Sequence, residues 1–195
     1  MKENLYTKNC IRTYTGRYVD VFNPKPEDID IRDIAHALSY IPRFGGHLPW
    51  FRSVAEHSID AAYYANHGFE LEALLHDASE AYLGDMASPI KYRIPDYKIA
   101  EQKMMECISY VFGFEYPLSH EVHRVDRNEL HKEWDNIMLN KNRIYIWWKR
   151  ITYSHKRCER RFLRAYQHYR IKQLPKVSGE LHTRYPERVR RVNFM

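Results

Sequence analysis

The run IRDIAHALSYIPRFGGH, residues 31–47, sets the terms for the whole chain. Ile31, Ile34, Ala35 and Leu38 recur at three- and four-residue intervals, which places them on one face of an α-helix and demands a second apolar surface to cover it. Asp30 or Asp33 can cap the start, and Pro42 with Gly45 and Gly46 breaks the pattern. The same grammar repeats downstream. Ser53 with Glu56 three residues later spells a capping box for a helix running to Gly68. A third helix is predicted over Glu70 to Tyr82, a fourth from Pro95 to about Phe112, and a fifth from a Ser119 cap through Met138 to the region of Trp147. The stretch SHKRCERRFLRAYQHYRI supplies the last. Only Tyr18 to Phe22 alternates polar and apolar, as a short strand or extended arm would.

The expectation is an all-α, single-domain helical bundle over residues 1–175, with an N-terminal arm to about residue 28 and a basic tail over 176–195. A chain of 195 residues, 44% of them hydrophobic, can bury one real core. It has no apolar run long enough for a membrane span, and its first residues, MKENLYTKNC, lack the pattern of a secretory signal. A cytoplasmic protein without membrane contact is expected, in the host cytoplasm if the gene belongs to a phage. Cys10, Cys107 and Cys158 are too far apart for a CxxC zinc site and read as free thiols.

Charge is divided along the chain. Residues 126–195 carry 18 Lys and Arg against 7 Asp and Glu, net +11, whereas residues 1–125 carry 13 against 18, net −5. A basic end suits either polyphosphate or a nucleic-acid arm, although charge runs are commonly the solvated faces of helices.

The chemistry concentrates in EALLHDASEAYLGD. His76 and Asp77 follow the apolar Ala73, Leu74 and Leu75, and a polar pair entering a core needs partners or a metal. Glu80, one turn after His76, shares its face. His57 is embedded in the same way among Val54, Ala55, Ile59 and Ala62. Taken singly, each histidine is more often a hydrogen-bonded core or surface residue than a ligand.

Taken together they resemble a known family. His57 in EHS, His76 and Asp77 in HDASEAYLGD, and Asp126 in RVDRNEL look like the H…HD…D signature of HD-domain metal-dependent phosphohydrolases, and the likeness extends through DIAHALSYIPRFGGH and GDMASPIK to cover roughly residues 17–135. Within that superfamily it is similar to bacterial 5'-deoxynucleotidases and to phage dATP triphosphohydrolases. The resemblance implies a helical bundle of the HD type with a central divalent ion on His57, His76, Asp77 and Asp126. Two imidazoles and two carboxylates suit Mn, Co, Zn, Fe or Ni, with Mg as a candidate second ion. Glu80 matches the acidic residue of the family's HDxxE string and would orient or deprotonate the attacking water. Asp85 would be a supporting group or the proton donor to the leaving oxygen.

Arg43 falls where the deoxynucleotidases carry a phosphate-binding arginine, and a guanidinium matches a phosphate with paired hydrogen bonds. Those enzymes place Trp directly after it, whereas this chain has Phe44, Gly45, Gly46 and His47. The change argues against a monophosphate substrate and for the phage group. His47 and Lys91 are candidates for further phosphate contacts, and Phe44, Trp50 and Phe51 for stacking on a base or sugar, although most of the 28 implied aromatic positions, 14% of the chain, must serve the core. The expected activity is therefore hydrolysis of a deoxynucleoside triphosphate, dATP above all, to deoxynucleoside and tripolyphosphate. A 5'-deoxynucleotidase is the alternative, and a non-catalytic nucleic-acid-binding module is the reading from a different class. The resemblance also implies a homo-oligomer, with IYIWWKR, residues 144–150, as a candidate contact.

Overall fold

In the computed structural model, which describes residues 9–139, Trp148 and 153–172, apolar stripes at helical spacing close around a common core, and the chain is mostly helical. A small antiparallel hairpin precedes the helices. Strand β1 (Cys10–Arg12) pairs with β2 (Tyr18–Asp20), Ile11 opposite Val19, and turns Val19 into the core. The sequence announced the second strand but not its partner.

Helix α1 (Ile31–Tyr40) begins at Asp30, whose carboxylate accepts the Arg32 backbone N–H. Asp33, the other candidate cap, instead accepts from the Thr15 backbone and hydroxyl, at 2.7 and 2.8 Å, and ties the hairpin to α1. Helix α2 (Val54–Tyr64) starts on the capping box expected of Ser53 and Glu56, but it stops at Tyr64 rather than Gly68, because Ala65 turns extended. Next come α3 (Glu70–Leu75) and the short α4 (Glu80–Leu83) and α5 (Ser88–Lys91). Helix α6 (Pro95–Phe112) opens on its proline and closes on Gly113 in the left-handed region, where a glycine is favoured. Helix α7 (His120–Glu133) is capped by Ser119. It ends at Glu133 and passes into one π-type turn, Trp134–Met138, so the expected continuous helix is interrupted there. The remainder of that expectation, most of the IYIWWKR segment and the tail over 176–195 lie outside the described residues. Helix α8 (His155–Lys172) is the last among the described residues.

Helix α2 is the centre of the assembly: α1, α3, α7 and α8 all pack against it. Its inward face carries Val54, Ala55, Ala61 and Ala62, and the small alanines let its neighbours approach closely. Leu71, Leu74 and Leu75 of α3, Met104 and Ile108 of α6, and Phe162 of α8 fill the space around it with almost no exposure. Cys107 and Cys158 are buried and Cys10 half-buried, all three as free thiols. No helix among the described residues is long and apolar enough to cross a membrane.

This packing predicts a large penalty for a cavity beneath the histidine segment. Leu74→Ala should lower the unfolding free energy by about 3 kcal/mol in urea titrations followed by circular dichroism; a loss under about 1 kcal/mol would mean that the site collapses freely.

Candidate metal centre

The first difference from expectation lies at the histidine and aspartate themselves. They are not in mid-helix. Helix α3 stops at Leu75, and the chain continues through a tight turn in which Ala78 N–H donates to Leu75 C=O and Glu80 N–H to Asp77 C=O, three-residue closures rather than four. Backbone dihedrals at His76 and Ser79 stay right-handed, so the direction of travel is kept while the turn tightens.

The turn aims both side chains toward α2 and α7. His76 Nε2 lies 3.2 Å from Asp77 Oδ2 and 3.6 Å from Asp126 Oδ1; His57 Nε2 lies 3.0 Å from the same Asp126 oxygen and 3.9 Å from Asp77 Oδ2. Single donor atoms of His57, His76 and Asp126 fall within 4.8 Å of one another. Around an ion held at about 2.1 Å, adjacent ligand atoms sit about 3.0–3.4 Å apart, so these separations have the scale of a coordination shell. The cluster can hold a metal ion.

Hydrogen bonding on the far side of each ring sharpens this. His76 Nδ1 is 2.7 Å from Ala73 C=O, an acceptor only, so Nδ1 carries the proton. That leaves Nε2 facing two carboxylates, buried and without a hydrogen-bond partner among the described residues. His57 Nδ1 is 3.1 Å from Glu133 Oε1 while its Nε2 faces Asp126. In a neutral imidazole with one nitrogen donating, the other presents a lone pair, and a lone pair against a carboxylate is repulsive until a cation lies between them. Both rings thus have the arrangement of metal-binding histidines, oriented from behind by a carbonyl or carboxylate.

The charges agree. Burial would lower the His76 pKa, but Asp77 and Asp126 outweigh it and hold the imidazole well above its usual value. Burial would raise both carboxylates, and the opposing imidazoles instead hold Asp77 and Asp126 below the usual carboxylate range.

Glu133 is the residue that sequence reasoning missed. Only 2% exposed, it accepts from His57 Nδ1, from Arg52 Nε at 2.6 Å, and from Arg43 Nε and Nη2 at 3.2 and 3.1 Å. Burial works against its charge, yet His57 and the two guanidiniums bring the carboxyl down to about 2. One signal was present: Glu133 follows Asp126 by seven residues, two turns along α7, and therefore shares its face.

Glu80 feels the charge of Asp77. It is buried, with Oε2 lacking a partner among the described residues, and burial together with the Asp77 and Asp85 charges pushes its pKa well above the normal range. Asp85 is half-buried, and burial raises its carboxyl too, against the opposing charge of Arg43.

The substrate-binding expectations fare unevenly. Arg43 borders the cluster, with Nη1 3.7 Å from Asp77 Oδ2, but two of its other nitrogens are committed to Glu133. Phe44 adopts φ 53°, a left-handed conformation that costs a bulky residue, and its ring sits 6.3 Å from that of Trp134. His47 is exposed on the glycine turn. Lys91 is 2.6 Å from Glu101 Oε1 and lies over the Tyr97 ring, so it is already a paired cation. Trp50 is buried and Phe51 packs on Tyr153 and His155; both belong to a different cavity, since the capping box turns this segment away from the histidines. The cavity that does open beside His76, Asp77 and Asp126 is about 220 Å³ and is walled by Met105, Tyr116 and Leu118, none of which the sequence singled out.

Two curated proteins are similar to this chain. The uncharacterized protein YfdR of Escherichia coli strain K12 is 42% identical over 103 residues, 53% of this chain and 58% of that protein. The uncharacterized protein RCAP_rcc00048 of Rhodobacter capsulatus is 38% identical over 112 residues, 52% of this chain and 57% of that protein. The chain thus spans a little over half the length of the curated relatives it matches. No protein-family profile matches it.

Glu133→Gln should lower the stability of the chelated protein at pH 7 by about 3 kcal/mol, because two largely buried guanidiniums lose the carboxylate they share and keep only Asp60 and Asp77 among the described residues. The sign with pH follows from the lowered carboxyl. A depressed folded pKa stabilises the fold above the ordinary value of 4.5 and ceases to do so as pH falls toward about 2. The gap between wild type and variant, read from urea midpoints, should therefore narrow across that window; a gap independent of pH would refute the assignment.

Proposed function

We propose that the chain is a metal-dependent phosphohydrolase of deoxynucleotides, with a deoxynucleoside triphosphate, dATP first, as substrate and tripolyphosphate as product. One observation carries the reading: His57 and His76 are each anchored through one ring nitrogen while the other faces the Asp77 and Asp126 carboxylates. A donor set of two buried imidazoles and two half-buried carboxylates fits a divalent ion such as Mn, Co, Zn, Fe or Ni. When bound, such an ion supplies Lewis acidity toward a phosphoryl oxygen and acidifies a coordinated water. The resemblance to HD-domain phosphohydrolases supplies the reaction class.

The chain's own residues would divide the remaining work. Glu80, buried beside the Asp77 and Asp85 charges that raise its carboxyl, would orient the attacking water, and would accept its proton only as the carboxylate, the form a bound cation favours. Asp85, also raised, is the candidate for returning a proton to the leaving oxygen. Arg43 offers its Nη1 edge, held in place by Glu133, to a phosphate at the cluster. The apolar wall of Met105, Tyr116 and Leu118 would exclude water around the sugar or base. The basic part of the chain supplies counter-charge for a long phosphate.

A monophosphate substrate is the second reading, and a specific observation favours it. Lys91 is paired with Glu101 and Arg43 with Glu133, which leaves less free positive charge beside the cluster than a triphosphate would use. A panel of dNTPs, NTPs and dNMPs with Mn or Co, with products resolved by chromatography, decides between them. Tripolyphosphate from dATP is the expected result, phosphate from dNMPs would establish the nucleotidase, and no hydrolysis at all would overturn the enzyme reading.

Asp77→Ala should abolish hydrolysis and weaken metal binding at least tenfold while leaving the helical spectrum intact; activity that survives chelation would sink the proposal. Metal affinity should also fall as pH drops through the raised His76 pKa, because the metal must displace that proton. Calorimetry of Mn binding in two buffers of different ionisation enthalpy reads the proton release directly.

A further inference from the structure

A second cavity lies between the start of α2 and the first turns of α8. It is about 190 Å³, far larger than a single water needs, and Arg52, Arg157 and Arg161 line it together with Phe51, Ser154 and Glu56. Arg157 and Arg161 are one helical turn apart and share a face of α8. Both side chains are exposed, and neither has an acidic partner among the described residues. Two like charges on one face, set opposite a third guanidinium, repel one another. The single carboxylate on the wall, Glu56, is engaged in the capping box of α2. The cavity thus has a net positive lining, an aromatic wall and a hydroxyl from Ser154.

Arg52 connects this cavity to the metal centre. Its Nη2 is held by Asp60 at 2.9 Å and its Nε by Glu133 Oε1 at 2.6 Å, and the same Glu133 oxygen faces His57 Nδ1 at 3.1 Å. Two hydrogen bonds separate the cavity wall from a candidate metal ligand.

We propose that this cavity binds a phosphate-bearing anion, and that occupancy is transmitted to His57 through Arg52 and Glu133. Bidentate contacts from Arg157 and Arg161 would hold the phosphate and remove their mutual repulsion. Arg52 would share its charge between the anion and Glu133, and so change how firmly Glu133 orients the imidazole. The site is distinct from the proposed catalytic cluster and requires no metal.

Calorimetric titration of the full chain, chelated throughout, tests binding with pyrophosphate in one arm and adenosine diphosphate in the other. Tighter binding of the nucleotide identifies an organic phosphate as the natural source, and equal binding an inorganic one. Wild type and Asp77→Ala should bind alike, within twofold, and Arg157→Ala/Arg161→Ala at least tenfold more weakly with an unchanged melting temperature. A change of more than twofold in Asp77→Ala, above all tighter binding once that carboxylate is gone, would place the anion on the histidine cluster and overturn the proposal, as would undiminished binding in the double variant or no saturable binding to wild type. Transmission is read from the His57 imidazole nitrogen resonances of the metal-free protein. These should move on addition of the anion in wild type and stay fixed in the double variant, and resonances that ignore a bound anion would overturn the link. Because no arm contains metal or scores hydrolysis, a failure here is separate from a failure of the phosphohydrolase reading.

Discussion

The Glu133 carboxylate holds this architecture in register. It sits at the last turn of α7 and accepts from Arg43 before α2, from Arg52 at the entry to α2 and from His57 within α2. Taking a carboxylate and two guanidiniums out of water is costly, and an apolar substitute would pack as well for less. What the ion cluster adds is position. It fixes the chain entering α2 against α7, and so determines the direction from which His57 approaches Asp126. The same contact arrests Arg43 beside Asp77 and passes the state of Arg52 inward.

Around that knot the molecule separates its tasks. The hairpin and the Asp30 and Asp33 interactions stabilise the outer end of α1. The alanine face of α2 allows α3 to come close enough for the turn after Leu75 to deliver two polar side chains to the same point. Two cavities open at different places, one walled by Met105, Tyr116 and Leu118 beside His76 and Asp126 and one rimmed by arginines beside the α2 cap. The charge asymmetry of the sequence acquires a location here: the α8 arginines lie in the basic part of the chain, while three of the four proposed metal ligands lie in the acidic part.

Much of this was legible beforehand, and the reasons differ by residue. Ser53, Glu56, Ser119 and Pro95 act on backbone groups within one turn, so their meaning is local and survives translation into structure. His57, His76 and Asp77 drew notice as polar residues beside apolar ones, but only the resemblance to HD-domain phosphohydrolases joined them with Asp126 into one set. At Lys91 and Trp50 residue type says what a side chain can bind and not what already holds it. Glu101 had claimed the lysine and the core had claimed the tryptophan. Met105, Tyr116 and Leu118 carry no chemical signature at all, and only their convergence makes a wall.

The sequence by itself determined the helical class and the capping and breaking points of most helices, because periodicity and end chemistry are short-range properties; the four candidate ligands came from the resemblance to a family, and the structure brings His57, His76 and Asp126 of them to one point. Tertiary structure decided which ring nitrogen faces inward, that Glu133 rather than solvent stands behind His57, and where the open cavities lie. Those depend on atoms brought within 4 Å from positions as many as 90 residues apart, as Arg43 and Glu133 are, and no local rule specifies such a distance.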